Sequence, residues 1–94
     1  MTPFTENVIA IIKSIPYGDV RSYGSIAKEA GHPRAARQVS RILHSMSASH
    51  DLPWHRVVNK NHQVTIKDKE ARFMQIHYLR EEGVEVTDQG SVIQ

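Results

Sequence analysis

Ninety-four residues with a formal charge of +2 and no cysteine can build one modest hydrophobic core, but no disulfide, thiolate metal site or thiol nucleophile. No apolar run approaches the roughly 18 residues of a membrane span, and Met1-Thr2-Pro3-Phe4-Thr5-Glu6 lacks the basic-then-apolar order of a secretory signal. The expectation is a single domain over residues 1–94, monomeric, cytoplasmic, away from membranes and without a cofactor. Charge is unevenly spread. Residues 21–60 hold seven Lys/Arg against Glu29 and Asp51, a net +5, whereas residues 61–94 hold four basic and six acidic side chains. A positive middle segment suits a polyanion partner, although many soluble basic domains have none.

Phe4, Val8, Ile11, Ile12 and Ile15 recur at helical spacing, which predicts an amphipathic helix over Thr5–Ile15 with Thr5 as its N-cap. Pro16-Tyr17-Gly18-Asp19 ends it. Val20-Arg21-Ser22 reads as extended, and Ser22 can cap a short helix, Tyr23–Ala30, that Gly31 closes. A third helix is predicted over Pro33–Met46. Two short helices joined by a tight turn containing Gly give the helix-turn-helix outline, whose second member commonly enters a DNA groove.

On that third helix Arg34, Arg37, Arg41 and His44 fall within an arc of about 80° at 100° per residue. Ala35, Ala36, Val39, Ile42, Leu43 and Met46 cover the other side. The cationic stripe has no intervening acid to pair with, which favours a DNA-facing surface over a merely solvated one. Ser45–Asp51 reads as a polar loop. Arg56–Lys60 and Gln63–Lys67 read as two strands around Asn61-His62, a hairpin suited to the wing of a winged helix. Asp68–Glu82 is predicted to be the last helix, with Phe73, Ile76 and Leu79 inward and Gly83 as its stop. Val84–Gln94 reads as a strand and a frayed end. The fold class is therefore mainly α with a small β hairpin, a winged helix-turn-helix.

The run Leu52-Pro53-Trp54-His55-Arg56-Val57-Val58 carries the most information. Taken alone, Trp54 could be an ordinary core aromatic. The run resembles the Pro-Cys-His-Arg-Val active-site motif of O6-alkylguanine-DNA alkyltransferases, with Trp54 where the cysteine stands. Tyr17-Gly18-Asp19-Val20-Arg21-Ser22-Tyr23 is similar to their Gly-x-Val-x-(Ser/Thr)-Tyr signature. Gly31-His32-Pro33-Arg34-Ala35-Ala36-Arg37-Gln38-Val39 is similar to their Gly-x-Pro-x-Ala-Ala-Arg-x-Val helix. With tryptophan for cysteine, the chain is identified as a member of the alkyltransferase-like proteins. That resemblance implies a non-enzymatic sensor with double-stranded DNA containing O6-alkylguanine as its partner. It would bind through the minor groove, flip the lesion into a pocket, and direct it to nucleotide excision repair proteins, on the nucleoid if the cell is bacterial.

Residue by residue, the resemblance implies Arg37 as an arginine finger that fills the gap left by the flipped base, where the bland alternative is a phosphate contact. Tyr23 would rotate the nucleotide, although a tyrosine at a helix start is more often a core ring with a wet hydroxyl. Small Ala35 and Ala36 would let the helix lie close in the groove, with Thr5, Arg34 and Arg41 also on the DNA. Trp54 would line the lesion pocket with Tyr23, Val57 and Lys67, and the carbonyls of Trp54 and Val57 would accept from the guanine amine. His55 and Glu82 match the proton relay of the transferases, here vestigial and serving with Arg56 as scaffold. Met46 stands where many transferases have an Asn hinge, and Thr65-Ile66-Lys67-Asp68 replaces a Gly- and Ser-rich stretch. Rival classes are a winged-helix transcription factor indifferent to alkylation, and an enzyme using His55, Glu82 and water or a lysine. The six histidines show no paired ligand spacing, so no metal is expected.

Overall fold

In the computed structural model, which describes residues 1–93, four helices and a two-stranded sheet follow in the order α1 (Pro3–Lys13), β1 (Arg21–Ser22), α2 (Tyr23–Glu29), α3 (Ala36–His50), a 3₁₀ turn (Trp54–Arg56), β2 (Val57–Val58) and α4 (Lys69–Glu81). The cap of α1 is Thr2 rather than Thr5: its side chain accepts the Thr5 N–H at 3.2 Å, and Pro3 opens the helix where its missing N–H costs nothing. Ser22 caps α2 as the sequence implies, accepting from the Ser25 N–H at 3.1 Å. At the other end Gly31, at φ 94°, sends its N–H to Lys28 while the His32 N–H reaches Ala27. This paired closure turns the chain sharply into α3.

Helix α3 is displaced toward the C-terminus relative to the sequence reading. Pro33, Arg34 and Ala35 lie in the turn, closed by the Ala35 N–H on the His32 carbonyl at 2.9 Å. The segment expected as a polar loop is helical through His50. Ser45 and Ser47 turn their hydroxyls back onto the carbonyls of Arg41 and Leu43, so these polar residues find partners without leaving the helix. Asp51, left-handed at φ 52°, then ends α3.

The wing also differs from the expected hairpin. Strand β2 pairs in parallel with β1, Arg21 opposite Val57 and Ser22 opposite Val58. Asn59–Gln63 does form a tight turn, with the Asn59 side chain accepting from the Asn61 and Gln63 N–H groups at 3.0 and 2.8 Å. Beyond it Gln63 bridges Ser91 and the Val64 N–H reaches the Gly90 carbonyl, so the C-terminal segment supplies the pairing expected from 56–60. That segment bends back on itself through a Val86–Val92 bridge. Gln94, the expected frayed end, lies outside the described residues.

Two apolar clusters result. The larger packs α1, α2 and α3 with Leu52 and Val57; the smaller joins Val58, Val64, Leu79 and Val86. Phe73 is not inward but 68% exposed. It sits about 200° around α4 from buried Gln75 and stacks on the His77 ring, 6.3 Å between centroids. Glu82 and Gly83 close α4 with the same geometry as α2, the Val84 N–H reaching Leu79 at 3.0 Å. Leu79 is fully buried at the centre of the smaller cluster. Leu79→Ala should therefore destabilise the domain by about 2–5 kcal/mol, measured as a lower midpoint in urea with an unchanged slope.

Candidate nucleic-acid interface

The turn between α2 and α3 presents Arg34, and α3 presents Arg37 and Arg41, all three exposed and without an acidic partner among the described residues. Arg21, by contrast, is paired with Glu29 at 2.9 Å. Ala35 has no side chain able to cap α3, so the first-turn N–H groups of that helix add to the positive face. Ala35 and Ala36 are half-buried, with Ala35 packed on the larger core. Thr5 lies inside α1, its hydroxyl 2.9 Å from that of Thr2. The arginines thus keep their charge available to a polyanion.

Beside this face opens a cleft of about 910 Å³. One wall comes from the helix-turn-helix, with Tyr23, Ala36, Arg37 and Leu43. The other comes from Trp54, the wing residues Thr65 and Ile66, and Gln75 of α4. Burial raises the Tyr23 phenol above its ordinary value, so it stays a neutral donor. Trp54 is held edge-on to Tyr78 and His55, with 6.3 Å between ring centroids in each case. Two residues expected in the pocket are not on its walls. Val57 is fully buried in the larger core, and Lys67 is exposed beyond Ile66. The two carbonyls expected to face a ligand already carry internal donors, Trp54 O the Val57 N–H and Val57 O the Gln75 amide.

Gln75 has no counterpart in the sequence reading. It is 3% exposed and gives its Nε2 to the carbonyls of His55 at 3.2 Å and Val57 at 3.0 Å, tying α4 to the tryptophan loop. The available signal was a polar residue four positions before Leu79, on the core face of a helix. Met46 packs against the larger core. The loop after it is fixed instead by the Leu52 N–H on Ser47 at 3.0 Å and by Gln75.

Beneath Trp54 lies a buried ion cluster. The Glu82 carboxylate, its side chain 7% exposed, accepts from His55 Nε2 at 2.7 Å, from Arg56 Nη2 at 2.7 Å and Nε at 2.9 Å, and from the Gly18 N–H at 2.9 Å. Arg56 also donates to the Ile15 carbonyl at 2.9 Å, and its guanidinium lies 5.7 Å from the centre of the Tyr17 ring. Burial alone would raise the Glu82 carboxyl. The hydrogen bonds from Arg56, Gly18 and His55 overcome it and hold the group at about 2, against an ordinary 4.5. The Arg56 guanidinium is raised in turn, chiefly by its hydrogen bonds to Glu82. Among the described residues no cluster of His, Asp and Glu could hold a metal ion.

A cationic second helix in a helix-turn-helix, a short sheet and a wing define a winged helix-turn-helix DNA-binding domain. The chain belongs to the 6-O-methylguanine DNA methyltransferase family, whose DNA-binding-domain model matches residues 3–84. It is 40% identical over 89 residues to the DNA base-flipping protein of Escherichia coli, covering 95% of this chain and 68% of that one. It is 38% identical over 87 residues to alkyltransferase-like protein 1 of Schizosaccharomyces pombe, covering 92% and 81%. The crystal structure of the S. pombe protein with damaged DNA containing O6-carboxymethylguanine superposes with a TM-score of 0.83 at 36% identity, over 98% of this chain and 88% of that one. A Mycobacterium tuberculosis O6-methylguanine methyltransferase in complex with DNA gives 0.69 at 30% identity, over 87% of this chain but 50% of the other.

Since Glu82 takes up its proton near 4.5 when unfolded and near 2 when folded, the unfolded state binds the extra proton between these values. Its contribution to stability is complete above about pH 4.5 and is lost as pH falls toward 2. Glu82→Gln, which leaves the Arg56 guanidinium without its counter-charge, should cost ~3 kcal/mol at neutral pH. It should also flatten the acid limb of the stability curve. An unchanged acid limb in urea titrations from pH 6 to pH 2 would show that the cluster is not what acid disrupts.

Proposed function

We propose that this chain is a non-enzymatic sensor of O6-alkylguanine in duplex DNA. It enters from the minor groove, flips the lesion into the cleft between Tyr23 and Trp54, and directs it to nucleotide excision repair. The observation that carries this reading is Trp54, an indole on the cleft wall at the motif position of the transferase cysteine, in a chain without any thiol. Alkyl transfer requires a strong nucleophile in line with the alkyl carbon. Trp54 offers one N–H donor and an apolar face, suited to contact an alkyl group and not to accept it. His55 Nε2 pairs with Glu82, whose carboxylate also accepts from Arg56 and the Gly18 N–H, which supports a scaffold role in place of the relay. The names of relatives, a base-flipping protein and an alkyltransferase-like protein, support the same reading.

Arg37 is the finger in this account. It stands at the second position of α3, where helix and cleft meet, so a planar cation can fill the vacated stack and recover part of the few kcal/mol that flipping costs. Arg34 and Arg41 neutralise phosphates. The protein acts as a monomer in the cytoplasm, on the nucleoid in a bacterial cell, and hands the lesion over without a cofactor.

A titration with plain and O6-methylguanine duplexes tests the reading. The alkylated duplex should bind more tightly, and after long incubation both DNA and protein should be recovered with their masses unaltered. Equal binding, or a protein heavier by one alkyl group, would overturn it.

The finger and the phosphate contacts should fail differently. Arg37→Ala should reduce the preference for the lesion by about 1–3 kcal/mol, whereas Arg34→Ala should weaken both duplexes alike. Equal losses on both duplexes for Arg37→Ala would make it another phosphate contact.

A further inference from the structure

The second polar end of Gln75 has no role in the fold. Its Nε2 is committed to the carbonyls of His55 and Val57. This fixes the amide orientation, because the flipped alternative would set the side-chain oxygen against two carbonyl oxygens. Gln75 Oε1 receives no hydrogen bond, yet no side-chain N or O is both fully enclosed and unpartnered among the described residues. The oxygen therefore reaches open space, and the space that Gln75 borders is the cleft beside Trp54. An acceptor on a residue only 3% exposed that borders a largely apolar cavity is costly to leave unpaired; it is an unfilled half of a hydrogen bond.

The ligand chemistry follows from what an O6-alkylated guanine can donate. Alkylation at O6 leaves N1 without a hydrogen, so the remaining donor on the base edge is the exocyclic 2-amino group. Trp54 O and Val57 O already hold the Val57 N–H and the Gln75 amide, so they are at best second acceptors for it. We propose that Gln75 is a specificity-determining residue that reads the 2-amino group of the flipped base through Oε1, restricting the cleft to purines that carry this group. The proposal rests on the lesion-binding reading above. It assigns Gln75 two linked tasks: its amide nitrogen sets the loop that bears Trp54, and its oxygen reads the base held against that loop. A purine without the amine leaves the acceptor dry and unpaired, which is the arrangement that discriminates strongly.

The test compares duplexes that contain O6-methylguanine, its analogue without the 2-amino group (6-methoxypurine), or guanine at one position. The wild-type chain should bind O6-methylguanine roughly ten-fold more tightly than 6-methoxypurine. Gln75→Lys keeps a donor for the two loop carbonyls but has no acceptor, and should bring that ratio close to one. Gln75→Met, of similar length with neither polar end, should do the same and serves if the lysine variant does not fold, as judged by thermal melting. Equal wild-type binding of the two modified purines overturns the proposal, as does an undiminished ratio in either folded variant. If O6-methylguanine binds no better than guanine, the lesion reading itself fails and this inference with it. Lesion preference without dependence on the amine removes the Gln75 reading alone.

Discussion

The Glu82 carboxylate is the point on which the architecture depends. It ends α4, yet its oxygens gather the Gly18 N–H from the turn after α1, and His55 and Arg56 from the tryptophan loop. Three segments distant in the chain are thus registered by one group. A buried charge of this kind adds little net stability compared with a well-packed apolar substitute, because desolvation offsets much of the attraction. What it supplies is placement. Arg56 has donors left over for Ile15, and Tyr17 lies against the guanidinium and sends its hydroxyl to the Glu81 carbonyl. In a transferase a similar histidine and glutamate would serve the nucleophile. Here they hold the loop under an indole, which gives the residues around Trp54 a structural use independent of any thiol.

The cationic face follows a different rule. Arg21 and Arg56 are neutralised by carboxylates of the protein itself, whereas Arg34, Arg37 and Arg41 have no acid to satisfy them among the described residues. Unpaired arginines repel one another and are not a device for stability, so their clustering at one helix end is explained by an external anion. The adjoining cleft shares Arg37 with that face, and Tyr23, Leu43, Trp54, Ile66 and Gln75 are among the residues that line it. Its walls meet where the uncapped start of α3 faces the wing, so the cationic face and the cleft are contiguous.

What could be read from the chain depended on how local the cause was. Ser22 as a cap, Gly31 and Gly83 as stops, and the split faces of α3 are encoded within a turn or two, and they stand as expected. The His55–Glu82 pairing came through motif resemblance alone, since no spacing brings residues so far apart together. The start of α1 moved because Pro3 makes Thr2 the better cap. The hairpin failed because the partner of Val57-Val58 lies far back at Arg21-Ser22, a pairing that periodicity does not contain. For the same reason the core role of the Val57 side chain was not legible in the sequence. Gln75 was overlooked because its significance depends on two carbonyls from another element, and Phe73 looked inward only because it is apolar.

Strand β2 is two residues long, yet Val57 belongs to one apolar cluster and Val58 to the other, both essentially without exposure. Successive side chains of a strand point to opposite faces, so this short segment is shared by both cores. Neither core can open while leaving its half of β2 in place. Subglobal unfolding, which lets many small proteins release one motif at a time, is therefore suppressed across the loop that bears Trp54. Amide protons of Val57 and Val58 should exchange only through the global opening reaction. Those of the tail hairpin, tied by single bridges, can exchange by local fraying. The loop that bears Trp54 should thus lie in the slowest-exchanging part of the molecule, and any widening of the cleft should come from its Thr65-Ile66 side.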